Sequence, residues 1–424
     1  MCLLGALMVG PCARGAFFLP LGDLPGGYFS SSASDVSADG KVVVGWSVAR
    51  PSSTGWPVGI LDAFRWTPDE GMVSLGRLEG HSGSLASAVS ADGSVVVGTS
   101  LLGASSGEPF RWASTTGMQP LDTRSIGNFV GGDASAVSAD GSVVVGANHN
   151  GFFFGGPRPA FRWTAEGTVD LGDLPGGDAV ARAEDVSADG SVIVGWSSTG
   201  VSSLYTEAFR WTRESGMVGL GNLVGGEVDS FARGVSADGS VIVGYSDASA
   251  NSDDREAFRW TSAGGMVGLG DLPGGRRFSS AEDVSADGAI VVGQGESAIG
   301  PEAVLWDATH GLRRVTDRLT ELGLDLSGWT LSAAWAISAD GTTIVGNGIN
   351  PSGQTEAWLA NITAVPEPSA LGLAGIGLLA GAASRGARVR AVRHARPSVS
   401  RRRSAGARRW VASQQVCCGR AART

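Results

Sequence analysis

The amino-acid sequence predicts an all-β protein built from seven repeats of about 49 residues each. The first observation is a recurring Ser-Ala-Asp-Gly word, and a fixed period of this length is typical of repeat architectures. Each repeat also carries an aromatic–basic word such as AFRW, and a glycine-punctuated word such as MVGLG. The aspartates of the first word are Asp39, Asp92, Asp140, Asp189, Asp238, Asp287 and Asp340.

Each repeat contains four segments with β character. In chain order they are a stretch of small residues, SVVVG or SVIVG, the FRW word and MVxLG. Their β-branched and aromatic residues favour strands, and Gly, Pro, Asp and Ser mark the breaks. The second segment lacks a polar face, which indicates a strand that is covered on both sides. The Ala-Asp-Gly step predicts a hairpin turn with glycine at positive φ.

Four strands per repeat at this period predict a β-propeller in which each repeat is one blade. The last repeat stops after its third strand, near Ala360. Residues Phe17 to Gly27, FFLPLGDLPGG, form a fourth-strand word with no repeat in front of it. We therefore expect a seven-bladed propeller that is closed by the N-terminal strand. An open array would leave strand edges exposed.

The repeated residues favour structural roles. Seven turn aspartates spread around a ring cannot converge as a catalytic pair must. The histidines (His81, His149, His310 and His394) show no metal-ligand spacing, so we expect neither a metal nor a cofactor. The Trp of the FRW word is expected to pack between blades. Its Arg is expected to make an ion pair or a backbone-carbonyl contact between blades.

The connections between the second and third strands vary most, and they carry the candidate binding residues. We expect their aromatic side chains to stack on sugars or to bind a protein partner. Alternatively, they cover blade edges. The candidates are Trp46, Trp56, Phe152, Phe153, Phe154, Trp196 and Tyr245.

Charge is unevenly distributed along the chain. The formal net charge is −9, yet the segment after residue 384 is rich in arginine and has no acidic residue. The repeats are correspondingly acidic. An acidic repeat region argues against nucleic acid as a partner, because nucleic-acid binding depends on neutralising phosphates.

The two ends of the chain resemble targeting signals. Residues 1–16 contain a short apolar run, Cys2 to Gly10, that predicts a signal peptide truncated at its start; the alternative is a disordered N-terminus. At the other end, a Pro-Glu-Pro triplet precedes an apolar stretch from Ala370 to Ser384 and a basic cluster. The residues of this signal are Pro366, Glu367, Pro368, Arg385, Arg388 and Arg390.

This C-terminal order resembles the PEP-CTERM sorting signal of exported bacterial proteins. The resemblance implies processing by an exosortase, with transient contact of residues 370–384 with the inner membrane as a short transmembrane helix. We expect the product at the cell surface or outside the cell. The expected segments are the signal peptide (1–16), the propeller (17–364), the sorting segment (365–390) and a disordered Arg-rich tail (391–424).

The repeat words also resemble those of the HAF repeats of bacterial extracellular proteins. EAFRWT from Glu207, GMVGLGDLPGG from Gly265 and VSADGSVVVG from Val137 carry this resemblance. It implies an exported repeat protein and transfers no catalytic residue.

Two classes of function follow from the sequence. We expect a non-enzymatic surface or matrix protein that binds polysaccharide or protein. The alternative is a secreted glycan-active enzyme whose carboxylates gather at the propeller channel. The carboxylates of that alternative are Asp35, Glu184, Asp185, Glu282 and Asp283.

Overall fold

The secondary structure is almost entirely β. A computed structural model describes residues 15–50, 59–103, 106–127, 131–149, 158–199, 205–223, 229–247 and 254–364. Within these ranges the chain forms β1 to β28, one α-helix, α1 (Val315–Glu321), and a 3-10 helix (Arg124–Ile126). The prediction of an all-β protein is confirmed. All the described residues belong to the first of the two parts into which the chain divides, Met1–Val365; the second, Pro366–Thr424, lies outside the described residues.

The first four repeats each form an antiparallel sheet whose strands follow chain order. Unit 1 contains β2 (Ser31–Val36), β3 (Val43–Arg50), β4 (Ile60–Thr67) and β5 (Gly71–Gly76). Unit 2 contains β6 (Gly83–Val89), β7 (Val95–Leu101), β8 (Gly107–Ala113) and β9 (Gly117–Pro120). Unit 3 contains β10 (Gly131–Val137), β11 (Val144–His149), β12 (Ala160–Thr164) and β13 (Gly167–Asp170). Unit 4 contains β14 (Ala181–Val186), β15 (Val192–Ser198), β16 (Thr206–Thr212) and β17 (Gly216–Gly219).

The next two repeats have the same strand order, but one parallel pair, Arg255 opposite Phe278, joins them into an eight-stranded sheet. Unit 5 contains β18 (Ser230–Val235), β19 (Val241–Asp247), β20 (Arg255–Thr261) and β21 (Gly265–Gly268). Unit 6 contains β22 (Gly274–Val284), β23 (Ile290–Ser297), β24 (Gly300–Asp307) and β25 (Gly311–Arg314). Unit 7 contains β26 (Thr330–Ile337), β27 (Thr343–Ile349), β28 (Thr355–Asn361) and β1 (Phe17–Pro20).

The N-terminal strand is thus the fourth strand of the last sheet. β1 pairs with β28 in antiparallel register, with Phe17 opposite Asn361 and Pro20 opposite Trp358. The N–H of Leu21 continues the pairing by donating to the carbonyl of Ala357 at 2.9 Å. The two ends of the repeat region therefore meet in one sheet.

The recurring Ser-Ala-Asp-Gly word forms the hairpin between the first and second strands. In unit 4, Asp189 Oδ1 accepts hydrogen bonds from Ser187 Oγ at 2.8 Å and from the N–H of Ser191 at 2.9 Å. Gly190 has a φ of +72°, which a residue with a side chain adopts at a cost. The corresponding glycines are also at positive φ, so this prediction is confirmed; they are Gly40, Gly93, Gly141, Gly239, Gly288 and Gly341.

The turns of neighbouring units are hydrogen-bonded to one another through the alanine of the same word. The N–H of Ala38 donates to the carbonyl of Ala91 at 3.1 Å, and the pattern repeats from unit to unit. The further donor–acceptor pairs are Ala91 to Ala139, Ala139 to Ala188, Ala188 to Ala237, Ala237 to Ala286 and Ala286 to Ala339. These bonds fix the spacing of successive sheets at their first hairpins.

The hydrophobic core lies between neighbouring sheets. Each cluster of buried side chains draws on at least two adjacent units, and one of them joins unit 7 to unit 1. The Phe of the FRW word is fully buried in five units, at Phe64, Phe110, Phe161, Phe209 and Phe258. The first strand of each unit packs against the first strand of the next, and β26 also packs against β2.

The arginine of the FRW word contacts the next unit. Arg65 Nε lies 3.4 Å from the carbonyl of Gly93, and Arg259 Nε lies 3.3 Å from the carbonyl of Gly288. The predicted carbonyl contact between units is confirmed for these two arginines. The tryptophans lie against the clusters between sheets, as in Trp163 and Trp211.

Helix α1 is the one α-helix of the described ranges, and the sequence reading did not anticipate it. Val315 and Leu319, one turn apart, are both buried, which is the spacing of one helical face. No helix within the described residues is long and apolar enough to cross a membrane. The transmembrane helix expected at residues 370–384 lies outside those residues.

Candidate functional site

Three aspartates occupy the same position of their repeats, at the end of the first strand. Asp185 Oδ1 accepts a hydrogen bond from the N–H of Val186 at 2.7 Å, and its Oδ2 accepts one from Val235, in unit 5, at 2.8 Å. Each of the other two likewise joins its own strand to the first strand of the next unit. Those pairs are Asp35 with Val36 and Val89, and Asp283 with Val284 and Ile337. We call Asp35, Asp185 and Asp283 the clasp aspartates.

The clasp aspartates share a poorly solvated environment. Burial, followed by the charge of Asp283, raises the pKa of Asp35 to about 8. Burial raises the pKa of Asp283 to about 6. Burial and Asp283 also hold the pKa of Asp185 well above its usual range. The charge of Asp283 thus contributes to the raised pKa of both Asp35 and Asp185, so these carboxyl groups from units 1, 4 and 6 interact electrostatically.

The other two predicted carboxylates bind arginines. Arg182 pairs with Asp133, and its Nε lies 3.1 Å from Glu184 Oε1. Arg233 Nη1 lies 3.2 Å from the same Glu184 oxygen, and its Nε lies 4.0 Å from Glu282 Oε2. We call Asp133, Arg182, Glu184, Arg233 and Glu282 the charged row; it crosses units 3 to 6 with alternating sign. Burial opposes ionisation of Arg182, but Asp133 and Glu184 raise its pKa.

An aromatic row lies against the charged row, made of Trp196, Phe231 and Tyr245. Trp196 Nε1 donates to Glu184 Oε1 at 3.1 Å. Its ring meets the ring of Phe231 edge-on, with centroids 5.7 Å apart, and Phe231 stacks on Tyr245 at 4.8 Å. The guanidinium groups of Arg233 and Arg255 lie 5.6 and 5.0 Å from the centre of the Tyr245 ring. Such cation–π contacts hold the arginines in place.

A cavity of about 170 Å³ opens between units 3 and 4, at the end of both rows. It is lined by Asp133, Ala147, Asn148, His149, Arg158, Ala181, Arg182 and Trp196. Asn148 is fully buried and its Nδ2 donates to the carbonyl of Thr123 at 3.1 Å. Burial is the largest cause of a lowered pKa at His149, so the imidazole is neutral at pH 7. The two rows and this cavity form the candidate site.

The structure brings some of the predicted aromatic residues to this site and not others. Trp196 lines the cavity, and Tyr245 is only 8% exposed because arginines cover its ring. Trp46 lies in β3 of unit 1, opposite Ala63, and takes no part in the site. The remaining predicted residues lie outside the described ranges: Trp56, Phe152, Phe153, Phe154, Pro366, Glu367, Pro368, Arg385, Arg388 and Arg390.

The sequence reading missed Phe231, Arg182, Arg233 and Asn148. A signal was present, because the site uses large side chains where other repeats have small ones. Phe231 pairs with Tyr245 between the first two strands of unit 5. At the same position of unit 1, the smaller Ser32 pairs with Trp46. Among the described residues, no group of three or more His, Cys, Asp or Glu side chains is arranged to hold a metal ion.

Comparison with a family model identifies the C-terminal signal. A model of the PEP-CTERM protein-sorting motif matches residues 364–389, which confirms the predicted signal. The motif implies export through the inner membrane to the cell surface and processing by an exosortase. A comparison with curated proteins found no similar sequence.

Several solved structures resemble the described fold. TolB from Acinetobacter baumannii is 15% identical, with 56% of this chain and 52% of that chain covered and a TM-score of 0.39. The β-propeller domain of the Trilobed protease from Pyrococcus furiosus is 9% identical, with 78% and 95% covered and a TM-score of 0.47. Prolyl oligopeptidase B from Galerina marginata is 12% identical, with 80% and 50% covered and a TM-score of 0.48. The chain thus spans about half the length of the first and the third.

These structural neighbours correct one expectation from the sequence. TolB, a prolyl oligopeptidase and an acylaminoacyl peptidase are among them. The prediction of a purely non-enzymatic surface or matrix protein is wrong by this comparison. The described sheets are themselves mostly antiparallel and four-stranded, and a β-propeller domain is among the structures that they resemble.

Proposed function

We propose that residues 17–364 form a closed, seven-bladed β-propeller of the HAF type that binds peptides for hydrolysis by a separate peptidase at the cell surface. Three observations support the ring: the pairing of β1 with β28, the packing of β26 against β2, and the chain of alanine hydrogen bonds. Each unit then supplies one blade, and the first strands surround the axis.

The observation that carries the peptide assignment is the charged row beside the aromatic row. A peptide offers charged ends and side chains, apolar side chains and amide groups, and this surface complements all three. Arg, Trp and Tyr dominate the energetics of protein recognition surfaces. A neutral sugar would contact the aromatic faces alone, because it has no charged group that could pair with the arginines or carboxylates of the charged row.

The carboxylates of the site are already engaged by groups of this chain. Both oxygens of each clasp aspartate accept backbone hydrogen bonds. Glu184 and Glu282 face arginines. Because these five groups are engaged in holding neighbouring units together, we assign bond cleavage to a peptidase partner, and binding and orientation of the peptide to this chain.

The sorting signal supplies the location in this proposal. An exosortase removes the segment that begins near Pro366, and the propeller remains outside the inner membrane, at the cell surface or released from it. The peptide site then faces external substrates.

A binding titration tests the function. Hexapeptides with a free C-terminus and a central Phe-Lys or Phe-Glu pair are titrated into the full-length protein, by calorimetry and by tryptophan fluorescence. We expect binding that weakens at least tenfold in Phe231→Ala and Arg233→Ala, without change in Ile299→Ser. Ile299 is 76% exposed and lies outside both rows, so it is a matched control.

Two further experiments can each contradict the proposal. Neutral hexasaccharides are titrated in parallel, and binding of the sugars without the peptides overturns the peptide assignment. The peptides are also incubated with the protein alone and followed by mass spectrometry. They should stay intact; cleavage that purified protein supports by itself overturns the division of labour.

A further inference from the structure

The cavity between units 3 and 4 differs from the rest of the site in its charge. Asp133, His149, Arg158 and Arg182 face it. Arg182 is neutralised by Asp133 and Glu184, and the lowered pKa of His149 keeps its imidazole neutral at pH 7. Arg158 makes no ion pair with any residue in the described part of the chain. The cavity therefore holds one guanidinium whose charge is not compensated there.

From the positive charge of Arg158 and the side-chain amide of Asn148 in the same cavity, we infer that the cavity is the subsite for the C-terminal carboxylate of a bound peptide. This inference rests on the proposed function and names the part of the ligand that the cavity takes. A guanidinium presents paired N–H donors that match the two oxygens of a carboxylate. One uncompensated positive charge suits a carboxylate better than a phosphate, whose second negative charge would face Asp133.

Asn148 supplies the second element of recognition. Its side chain is fully buried, and its Oδ1 accepts no hydrogen bond from the described residues. A buried acceptor without a donor costs about 1–3 kcal/mol, and the N–H of the last peptide bond of a ligand can supply that donor. Arg158 and Asn148 line the same cavity, as the carboxylate and amide of one terminal residue require.

The volume of the cavity limits how much of a peptide it can hold. A volume of about 170 Å³ corresponds to five or six water molecules at roughly 30 Å³ each. That space suits one terminal residue, with Trp196 as an apolar wall for its side chain. The rest of the peptide then runs from Trp196 along Phe231 and Tyr245, which continue the same row.

The test compares one hexapeptide in two forms, with a free C-terminal carboxylate and with a C-terminal amide, on the full-length protein. We expect the amide form to bind at least tenfold more weakly. Arg158→Gln should reduce affinity for the acid form to that for the amide form. Arg213→Gln is the control, because Arg213 is an exposed arginine of unit 4 that does not line the cavity.

Each result of this test has one meaning. Equal binding of acid and amide to the wild-type protein overturns the subsite and leaves peptide recognition standing. Absence of binding by both forms overturns the proposed function itself. A preference for the acid that persists in a folded Arg158→Gln protein places the carboxylate elsewhere. The comparison on wild-type protein decides the main point even if the variant does not fold.

Asn148→Asp gives a second measurement. It keeps the shape of the side chain and adds a negative charge beside the bound carboxylate. We expect it to weaken the acid form more than the amide form. An equal effect on the two forms contradicts a carboxylate at this position.

Discussion

Asp185 Oδ2 accepts a hydrogen bond from the backbone N–H of Val235 at 2.8 Å, across the junction between units 4 and 5. The same link occurs between Asp35 and Val89 and between Asp283 and Ile337. Only three of the seven repeats have the acid at this position; the others have Ala88, Ala136, Gly234 and Ala336. The repeats are therefore alike in fold but differ in how their first strands are joined.

Asp185→Ala is expected to destabilise the fold. The change leaves the N–H groups of Val186 and Val235 without an acceptor, at about 1–3 kcal/mol for each buried donor. Urea denaturation measures the loss. Glu214→Ala removes an exposed acid of the same unit and should leave the midpoint unchanged; equal midpoints for both variants would mean that the clasp contributes nothing.

Stability should fall as the pH rises from about 5 to 9. The folded-state pKa values of Asp35 and Asp283, about 8 and about 6, exceed an unfolded value of about 3.9. The folded state thus holds more protons, and the stabilisation from these groups is lost as the pH rises through their folded pKa values. Urea midpoints across this range measure the effect.

Asp35→Asn is the matched variant for this pH dependence, because it removes the carboxyl group with a pKa of about 8 and keeps the side-chain shape. Its stability profile should be flatter above pH 6. The turn aspartates have the opposite sign: hydrogen bonds lower the pKa of Asp140 to about 2, so their contribution is lost in acid. A wild-type profile that rises steadily from pH 5 to 9 contradicts the assignment.

Gly190→Val should destabilise strongly, whereas Asp189→Asn should be nearly silent. Valine is strained at a φ of +72°, by about 1–3 kcal/mol, and its Cβ would meet Val143 Cγ2 at 2.5 Å. Asparagine still offers an oxygen to Ser187 and Ser191. Thermal melts of both variants measure this, and similar losses would show that the carboxylate does more than shape the turn.

Removal of the N-terminal strand should lower the melting temperature. Deletion of Phe17–Pro20 unpairs β28 and removes the ring of Phe18, which lies 5.1 Å from Trp329. Phe18→Ala alone should cost about 1–2 kcal/mol from lost apolar burial. Leu19→Ser is the control, because Leu19 is 37% exposed. A deletion variant that melts like the wild type contradicts closure by this strand.

The sorting motif predicts a shortened mature protein. In a host with an exosortase, the surface fraction should lack the chain from near Pro366 onward, including Cys417 and Cys418. Intact mass measures this. A variant with Pro366, Glu367 and Pro368 changed to Ala should keep the tail and remain with the membrane. Wild-type protein that retains the tail and fractionates with the variant contradicts processing at this motif.

Local features were readable from the sequence because they depend on residues close along the chain. The Ser-Ala-Asp-Gly turn needs a glycine at positive φ and an acceptor beside it, and both lie within one word. The strand words recur with the same apolar pattern, so their number and order could be predicted. The unpaired fourth-strand word at Phe17 also indicated the partner of β28.

The candidate site depended on the tertiary structure, because its residues come from different repeats. Asp133, Arg182 and Arg233 belong to units 3, 4 and 5, and no local pattern reveals that they form one row. Phe231 and Arg233 looked like ordinary departures from the repeat until neighbouring first strands brought them beside Trp196 and Glu184. The sequence alone determined the turns, the strands and the sorting signal, since these depend on short-range conformation and composition. Which of the non-repeated side chains come into contact was decided only by the packing of one sheet against the next. Charge pairing and ring stacking act over a few ångströms in space, whatever the distance along the chain.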